Sequence, residues 1–487
     1  MVKSTGLMKS LSLRQRLLDR WVLAGLAGSL LAASIVSWIE GDPDFWWHIA
    51  DGRWILSHLA LPTHSPWLFG AALSHHWIMA EYGSEIWMFL AGKSGVIIIT
   101  ALAFMATCYL AAYRTRLLGS HTPTAALLAP IIVALLGWAE IAPRDQMATT
   151  LGVAIIALVC ELQVKDRRVM WWLLPPMFLL WVNLHPGFVG GMGLWASAIV
   201  FWTWQQRHGK MAHINIRTNL IWFSASFVAT FINPYTYRIW PYVIKTLAGG
   251  GASFIQEWQS PNFHWVTFWP VLLLVLAFPM AWPRMSGLSR LWVIVLLAAS
   301  LVTGRNVELL GAVAAAPLTT AWTSYLPSKS NVTRPLFVMV TILGLLLATY
   351  AIHAGTAAKV TNKTQPVSLV NQIRNQYPAG ADVVPPYSAA GYILYNLPRD
   401  RVWIFGDNAL IGDQIMNQYI SIIDLTPKWR TLLRQSGANL VITSSSEPLQ
   451  QGLLLDSQCK VLYNHDGWAA FTGNGPKCPI LPLPQPR

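Results

Sequence analysis

Residues 41–48 read Gly41-Asp42-Pro43-Asp44-Phe45-Trp46-Trp47-His48 and directly follow the first long apolar segment, 21–39. Two carboxylates, two tryptophans and a histidine are therefore expected at the edge of a membrane. Ionisable groups are costly to keep at that depth, so a functional site is the first hypothesis. The stretch is also a good helix start, with Asp42 as N-cap, Pro43 in the first position and Asp44 in the first turn. Both explanations of the acids are open.

The composition is that of a polytopic helical membrane protein. Of 487 residues, 54% are hydrophobic and 11% are charged, against about 25% charged in soluble proteins. Mean hydropathy is +0.43, and apolar runs of about 20 residues, the length that crosses a bilayer, recur along the chain. The first run is not followed by a small-residue cleavage site, so we interpret it as a retained helix.

The sequence predicts eleven transmembrane helices, at 21–39, 94–113, 122–139, 146–163, 169–185, 188–204, 218–233, 265–282, 289–303, 307–326 and 335–353. One set of loops, beginning with the N-terminal leader, holds 17 Lys and Arg, and the opposite loops before residue 354 hold 6. The positive-inside rule therefore places the N-terminus in the cytoplasm and the loop at 40–93 outside. Because the basic excess is accounted for by topology, we expect no nucleic-acid partner.

We therefore expect an all-α polytopic membrane domain followed by a small exterior α/β domain. The regions are a basic cytoplasmic leader (1–20), the membrane domain (21–353) with its exterior loop (40–93), the exterior domain (354–475) and a Pro-rich tail (476–487). The apolar spacing in the loop predicts an amphipathic helix in the headgroup plane. The exterior domain alternates predicted strands and helices, with strands at 402–405, 440–443, 460–463 and 469–471 and helices at 368–376, 411–422 and 428–435.

Cysteine placement agrees with an exterior C-terminal region. Cys459 and Cys478 are the only two cysteines after the predicted membrane domain. An even pair in an oxidising compartment predicts a disulfide between them.

The first exterior loop carries the strongest candidates for chemistry. Asp42 and Asp44 could bind a divalent cation, or one of them could act as general base toward a hydroxyl. Glu81 lies one helical turn from Glu85 and could assist the pair. The histidines of the loop, His48 among them, show no zinc-ligand spacing. The only cofactor that the sequence suggests is therefore a divalent cation at the two aspartates.

Later exterior helix ends repeat the pattern of polar residues at the membrane edge, including Glu140, Arg144, His185, Asn233, Glu257 and Arg305. If the helices converge, these residues line an outward cavity with the early acids. Arg144 and Arg305 suit a phosphate, because guanidinium pairs with phosphate oxygens in bidentate fashion. The alternative is local pairing, of Arg144 with Asp145 and of Arg305 with Glu308. Gly406-Asp407-Asn408, after a predicted strand, could bind a ligand, although a turn is the preferred interpretation.

Several stretches together resemble a large group of bacterial multi-pass proteins akin to the GT-C class of polyprenyl-phosphate-sugar-dependent glycosyltransferases. They are GDPDFWWHIADGRWIL (41–56), LPTHSPW (61–67), WIMAEYGSE (77–85), PRDQM (143–147), NLHPGF (183–188), INPY (232–235), IQEWQSP (255–261), GRN (304–306), SAAGYILYNL (388–397) and WIFGDNALIGD (403–413). The resemblance covers nearly the whole chain, and D-P-D-x-W-W-H is its most specific part. This chain departs from the group at Ser65, Ala80 and Asp145, where the group often has Asp, His and Pro.

The resemblance implies a bacterial inner-membrane enzyme that takes a sugar from a polyprenyl-phosphate donor on the periplasmic face. Asp44 or Asp42, with Glu81, would then take a proton from the acceptor hydroxyl as it attacks the sugar. Arg305 or Arg144 would stabilise the departing phosphate. Trp46, Trp47 and His48, with His185, Asn233 and Glu257, would bind substrate, and inversion at the anomeric carbon is inferred from the class alone.

Two further classes of function stay open. A glycan ligase would use a lipid-diphosphate donor and would rely on Arg and His of a late exterior loop. A transporter or inactive scaffold would need no catalytic acids, and transporters tend to carry charges at mid-membrane, whereas the charges here gather at helix ends. The sugar and the acceptor are not specified by the sequence.

Overall fold

The fold is given by a computed structural model, which describes residues 19–38, 43–120, 122–248, 256–326 and 333–483. Most of the predicted leader, and Asp42 of the predicted acid pair, lie outside these ranges. Asp44 lies inside them.

Thirteen α-helices occur among the described residues up to Ala357. They are α1 (Arg20–Ile35), α2 (Asp44–His58), α3 (Tyr82–Leu117), α4 (Pro123–Leu136), α5 (Met147–Val164), α6 (Leu174–Leu184), α7 (Phe188–Arg207), α8 (Ile216–Ala229), α9 (Ile239–Ala248), α10 (Trp269–Ala281), α11 (Gly287–Val302), α12 (Val307–Thr323) and α13 (Arg334–Ala357). Every predicted span overlaps one of them, because long apolar runs satisfy their backbone within a helix.

Helix length and composition make this a membrane protein. Four helical stretches are long and apolar enough to cross a bilayer, namely Tyr82–Leu117, Met147–Val164, Val266–Arg284 and Arg334–Ala357. Shorter apolar helices accompany them, including α1, α4 and α11. The number of crossings and the orientation of the termini stay predictions.

Helix α3 is broken near its N-terminal end. Gly92 has φ +60° and ψ 178° inside the helix, a conformation that L-residues with a side chain rarely adopt. The break separates the first segment, which carries Glu85, from the longer apolar segment that follows. The first segment can therefore take a direction of its own.

A buried ion pair joins three membrane helices. Arg114 of α3 contacts Glu161 of α5 through Nε at 2.9 Å and Nη2 at 2.8 Å. Pro317 of α12 has no N–H, so the carbonyl of Val313 loses its helical partner. Arg114 supplies the missing donor, with Nη2 at 2.8 Å from the Val313 oxygen. The guanidinium therefore neutralises the buried Glu161 carboxylate and also donates to the carbonyl that lacks a helical partner.

We expect Arg114→Met to lower stability by about 3–5 kcal/mol, because Glu161 would stay buried without its counter-charge. The double variant with Glu161→Leu should recover much of this loss. Thermal unfolding followed by size-exclusion chromatography in detergent measures the effect. Arg116→Met is the control, since that side chain is 55% exposed. A single Arg114 variant as stable as the parent would contradict this account.

The C-terminal part is a mixed sheet with short helices. Its helices are α14 (Val367–Gln376), α15 (Ala390–Asn396), α16 (Asn408–Ile411), α17 (Asp413–Ile423), α18 (Trp429–Ser436) and α19 (Pro448–Leu454), and its strands are β1 (Asp382–Val384), β2 (Arg401–Val402), β3 (Leu440–Ser444), β4 (Cys459–His465) and β5 (Trp468–Gly473). The strand order is β2-β1-β3-β5-β4. The first three pair in parallel, and β5 is antiparallel to β3 and β4. The prediction of an α/β unit is confirmed.

The early exterior loop is part of the same core as this sheet. Leu68 forms a parallel bridge with Val402 of β2, and the Val402 N–H donates to the Trp67 oxygen at 2.7 Å. One cluster of buried apolar residues contains Phe45, Trp47 and Trp67 together with the strands. The predicted domain boundary at 354 stays a prediction, but the packing of this core crosses it.

The predicted loop helix exists as α2, but it is not amphipathic. Residues 45–52 are all buried, because α3 covers one side of the helix and α15 covers another. Cys459 and Cys478 form a disulfide, and the chain after it packs back onto β5 through the Leu481 oxygen, 3.1 Å from the Gly473 nitrogen.

Asp400 should make stability depend on pH. Burial raises the pKa of this carboxyl to about 7, so the folded state holds a proton that the unfolded chain releases near its ordinary pKa of about 3.9. Stability from this group is thus present at low pH and is lost as pH rises towards 7. Between pH 5 and 8, the unfolding free energy of the parent should fall by on the order of 1–3 kcal/mol more than that of Asp400→Asn. Melting temperatures of both proteins, measured across this pH range, check the difference. Parallel curves would contradict the assignment.

Candidate active site at the outer ends of the membrane helices

Helix α2 packs closely against α3 on one side and against the C-terminal domain on another, and glycines make this close approach possible. A Cβ on Gly52 would lie 2.1 Å from the Glu85 oxygen of α3, and one on Gly406 would lie 1.9 Å from Asp44 Oδ1. A Cβ on Gly391 of α15 would lie 2.8 Å from the Pro43 oxygen. Backbone therefore approaches α2 closely on both sides, and the positions of its polar side chains are fixed.

Asp44 and His48 lie one turn apart on α2, with Trp47 between them in the chain. Trp47 Nε1 donates to Asp44 Oδ1 at 2.9 Å, and the Trp47 ring lies against the His48 ring at 3.7 Å between centroids. The indole donor therefore holds one oxygen of Asp44 in place.

Glu81 connects α2 to the loop between α6 and α7. Its Oε2 lies 4.0 Å from His48 Nε2, and its Oε1 lies 3.5 Å from His185 Nε2. On the other side of the imidazole, His48 Nδ1 lies 3.9 Å from Glu85 Oε1. Burial, followed by the charge of Asp145, raises the pKa of Glu81 well above its usual value.

His185 is held in one tautomer by its own loop. The Gly187 N–H donates to His185 Nδ1 at 3.0 Å, so that nitrogen is an acceptor and the ring proton lies on Nε2, facing Glu81. Thr149 Oγ1, 2.7 Å from Nδ1, supports the same ring position. Burial lowers the pKa of His185 to about 4, and the neighbouring arginines add to the effect. The ring is therefore neutral at physiological pH, and its Nε2 faces Glu81 Oε1 at 3.5 Å.

The two predicted phosphate-binding arginines share one carboxylate. Arg144 Nη1 lies 3.1 Å from Glu257 Oε2, and Arg305 Nη1 lies 3.9 Å from the same oxygen. Arg144 also contacts Glu140 Oε2 at 3.4 Å. The sequence also offered local pairing, of Arg144 with Asp145 and of Arg305 with Glu308. These two pairs are not among the contacts above.

The early acids and the late arginines belong to one electrostatic cluster. The charge of Arg305 acts on Glu81, and the charge of Asp145 acts on both Glu81 and His185. Burial alone would raise the pKa of Glu257, but Arg144 and Arg305 outweigh it and lower that pKa. From the sequence, convergence of these helix ends was only a supposition. In the structure the helix ends do converge.

The C-terminal domain covers the cluster with the loop Gly406-Asp407-Asn408, for which the sequence left ligand binding open beside a turn. Asn408 Nδ2 donates to Tyr387 Oη at 2.7 Å, and Asp407 accepts from Trp77 Nε1 at 2.6 Å. Burial, followed by the charge of Asp44, raises the pKa of Tyr387, so its phenol stays protonated. Tyr387 and Asn408 are therefore neutral polar groups near Asp44.

Two predicted substrate-binding residues have other surroundings. Trp46 is 9% exposed and packs against Tyr392 and Tyr395 of the C-terminal domain, so a sugar could stack on it only if that domain moved. Asn233 Nδ2 donates to the Thr230 oxygen at 2.7 Å and closes its own loop. A binding role for Trp46 or Asn233 stays a prediction, and the packing of both residues argues against it.

Gly406→Ala should push the covering loop away from Asp44, because the new methyl group would overlap Asp44 Oδ1. We expect a stability loss of about 1–3 kcal/mol and a large loss of any activity that needs Asp44. Gly193→Ala is the matched control, since a Cβ there meets nothing within 4 Å. Thermal unfolding and activity of both variants check this, and equal behaviour would show that the close approach is unimportant.

No protein-family model matches this chain, and no curated protein matches it. Among solved structures, it is similar to the crystal structure of ArnT from Cupriavidus metallidurans bound to undecaprenyl phosphate. The two chains share 11% sequence identity, and the alignment covers 96% of this chain and 98% of that one with a TM-score of 0.48. We therefore infer function from the side chains of the site.

Proposed function

We propose that this protein is a membrane glycosyltransferase of GT-C type. It moves a sugar from a polyprenyl-phosphate donor to an acceptor hydroxyl on the exterior face of a bacterial inner membrane. The observation that carries the proposal is one electrostatic cluster at the ends of apolar helices. In it the charges of Asp44 and Arg305 both act on Glu81, and Arg144 joins Arg305 through Glu257. A donor with a lipid tail and an anionic headgroup would meet such a site at the membrane surface.

The two arginines are the phosphate-binding groups in this proposal. Both guanidiniums already converge on one carboxylate, that of Glu257, with Arg144 Nη1 at 3.1 Å. A phosphate carries the same kind of oxygen and a larger charge, so it can share or take that position. As the sugar–phosphate bond breaks, negative charge grows on the leaving phosphate, and these fixed cations stabilise it.

Asp44 is the better general base of the two described acids. Trp47 Nε1 donates to its Oδ1 at 2.9 Å and so fixes the direction of the carboxylate that would take a proton from the acceptor hydroxyl. Glu81 holds its own proton to a higher pH because burial raises its pKa. Glu81 is therefore assigned a positioning role between His48 and His185, with the acceptor oxygen attacking the sugar from the side of Asp44.

The acceptor would enter beneath the C-terminal loop. Tyr387 and Asn408 hydrogen-bond one another beside Asp44, and Asn408 Oδ1 has no hydrogen-bond partner in the part of the chain that the structure describes. A hydroxyl of the acceptor could donate to that oxygen and be oriented by it.

The proposal is tested with the purified protein, a polyprenyl-phosphate sugar and a hydroxyl acceptor. We expect Asp44→Asn to reduce transfer by about 10²–10⁴-fold, the usual effect of removing a general base, with unchanged expression and melting temperature. Asp413→Asn changes an exposed acid of α17 and should keep full activity.

The same assay separates the other classes of function. Transfer from a lipid-diphosphate oligosaccharide, but not from the monophosphate sugar, would replace the proposal by a glycan ligase. No transfer with either donor, together with an Asp44→Asn variant that still complements a deletion strain, would indicate a scaffold.

A further inference from the structure

We propose that His48, Glu81 and Asp145 bind a divalent transition-metal ion. The sequence suggested a cation at Asp42 and Asp44, whereas this site lies one helical turn further along α2 and recruits an acid from the loop before α5. Binding of the ion is independent of the proposed function. The role that we assign to the ion is to reduce the repulsion between an acidic pocket and an anionic donor. This role rests on the proposed function.

The three side chains already face one another. One donor atom from each lies within 4.8 Å of the others, and the pair formed by His48 Nε2 and Glu81 Oε2 is separated by 4.0 Å. Ligands of a tetrahedral ion with bonds of about 2.0–2.2 Å are separated by about 3.3–3.5 Å. Closing the site therefore needs shifts below about 1.5 Å, which side-chain rotations provide.

Asp145 supplies an independent reason to expect a ligand. It is 5% exposed, and its Oδ2 has no hydrogen-bond partner among the residues that the structure describes. A buried ionised oxygen without a partner costs several kcal/mol, so such oxygens usually coordinate an ion or are protonated. Its electrostatic effect on both Glu81 and His185 places the Asp145 carboxylate at the cluster.

The charge balance of the surroundings favours a cation. Nine carboxylates interact in this region, and the described residues offer two arginines against them, Arg144 and Arg305; the acids are Asp44, Asp51, Glu81, Glu85, Glu140, Asp145, Glu257, Glu308 and Asp407. Both arginines also approach Glu257. The part of the pocket around Glu81 is therefore rich in carboxyl groups, and a bound cation would offset the negative charge that they carry when ionised, so that a phosphate headgroup could approach.

The ligand set selects the class of ion. One imidazole nitrogen with carboxylate oxygens suits Zn²⁺ or Mn²⁺, whereas Ca²⁺ and Mg²⁺ prefer oxygen ligands throughout. His185 is not a fourth ligand, because the Gly187 N–H keeps the ring proton on the nitrogen that faces Glu81. Its Nε2 instead lies 3.5 Å from Glu81 Oε1, a position from which a neighbouring side chain can orient a metal ligand.

The test is calorimetric titration of the full-length, tag-free, chelator-treated protein with ZnCl₂, MnCl₂ and CaCl₂. The parent for all variants carries His64→Ala and His76→Ala, because these neighbouring exposed rings, 6.1 Å apart, could bind zinc adventitiously. We expect one saturable site for Zn²⁺ or Mn²⁺ and much weaker binding of Ca²⁺. Asp145→Asn should weaken binding at least tenfold, and Asp413→Asn, which changes an exposed acid of α17 outside the cluster, should leave it unchanged.

X-ray absorption of the zinc-loaded parent protein checks the ligands without a variant. One imidazole and otherwise oxygen neighbours support the site, and sulfur or several imidazoles overturn it. Absence of saturable binding, or binding that Asp145→Asn leaves unchanged in a folded variant, also overturns it. Metal-loaded protein that transfers no sugar would refute the proposed function alone, and active protein without metal binding would refute this inference alone.

Discussion

The close packing of α2 is the constraint on which the rest of the structure depends. Gly52 lets the backbone of α3 approach α2, and Gly406 and Gly391 let the C-terminal domain approach it from elsewhere. Larger residues at these points would separate the three layers. Because the layers meet, Asp44 and His48 are held between the membrane helices and a folded cover, and their geometry does not depend on a free loop.

Electrostatics then gives this layer its chemical character. Burial works against ionised carboxylates, and the pocket compensates some of them with Arg144 and Arg305 and one of them with an indole donor. Elsewhere in the molecule the same problem is solved locally, as where Arg114 satisfies both Glu161 and the carbonyl left open by Pro317. Around Glu81, the ion-pair contacts in the described part of the chain are two imidazoles, at 3.5 and 4.0 Å. This difference distinguishes a site for ligands from a structural ion pair such as that of Arg114 and Glu161.

Much of the helical framework could be predicted from the sequence, because a long apolar run is a local signal. The strand β1 was missed because three residues are too few to show an alternating pattern. The bridge between Leu68 and Val402, the pairing of Arg144 with Glu257 and the contact of Asp407 with Trp77 were missed for another reason. They join residues far apart in the chain, and sequence reasoning could pair Arg144 only with its neighbour. Candidate residue types at helix ends could be named, but their partners could not.

The most direct measurement is an experimental structure of the protein purified with polyprenyl phosphate. Our account predicts phosphate density between the Arg144 and Arg305 guanidiniums, with the lipid tail along the membrane helices and the open side of the headgroup facing Asp44. Phosphate bound at the opposite ends of the helices, or at the outer ends but away from both arginines, would contradict the claim that these acids and cations form one donor site.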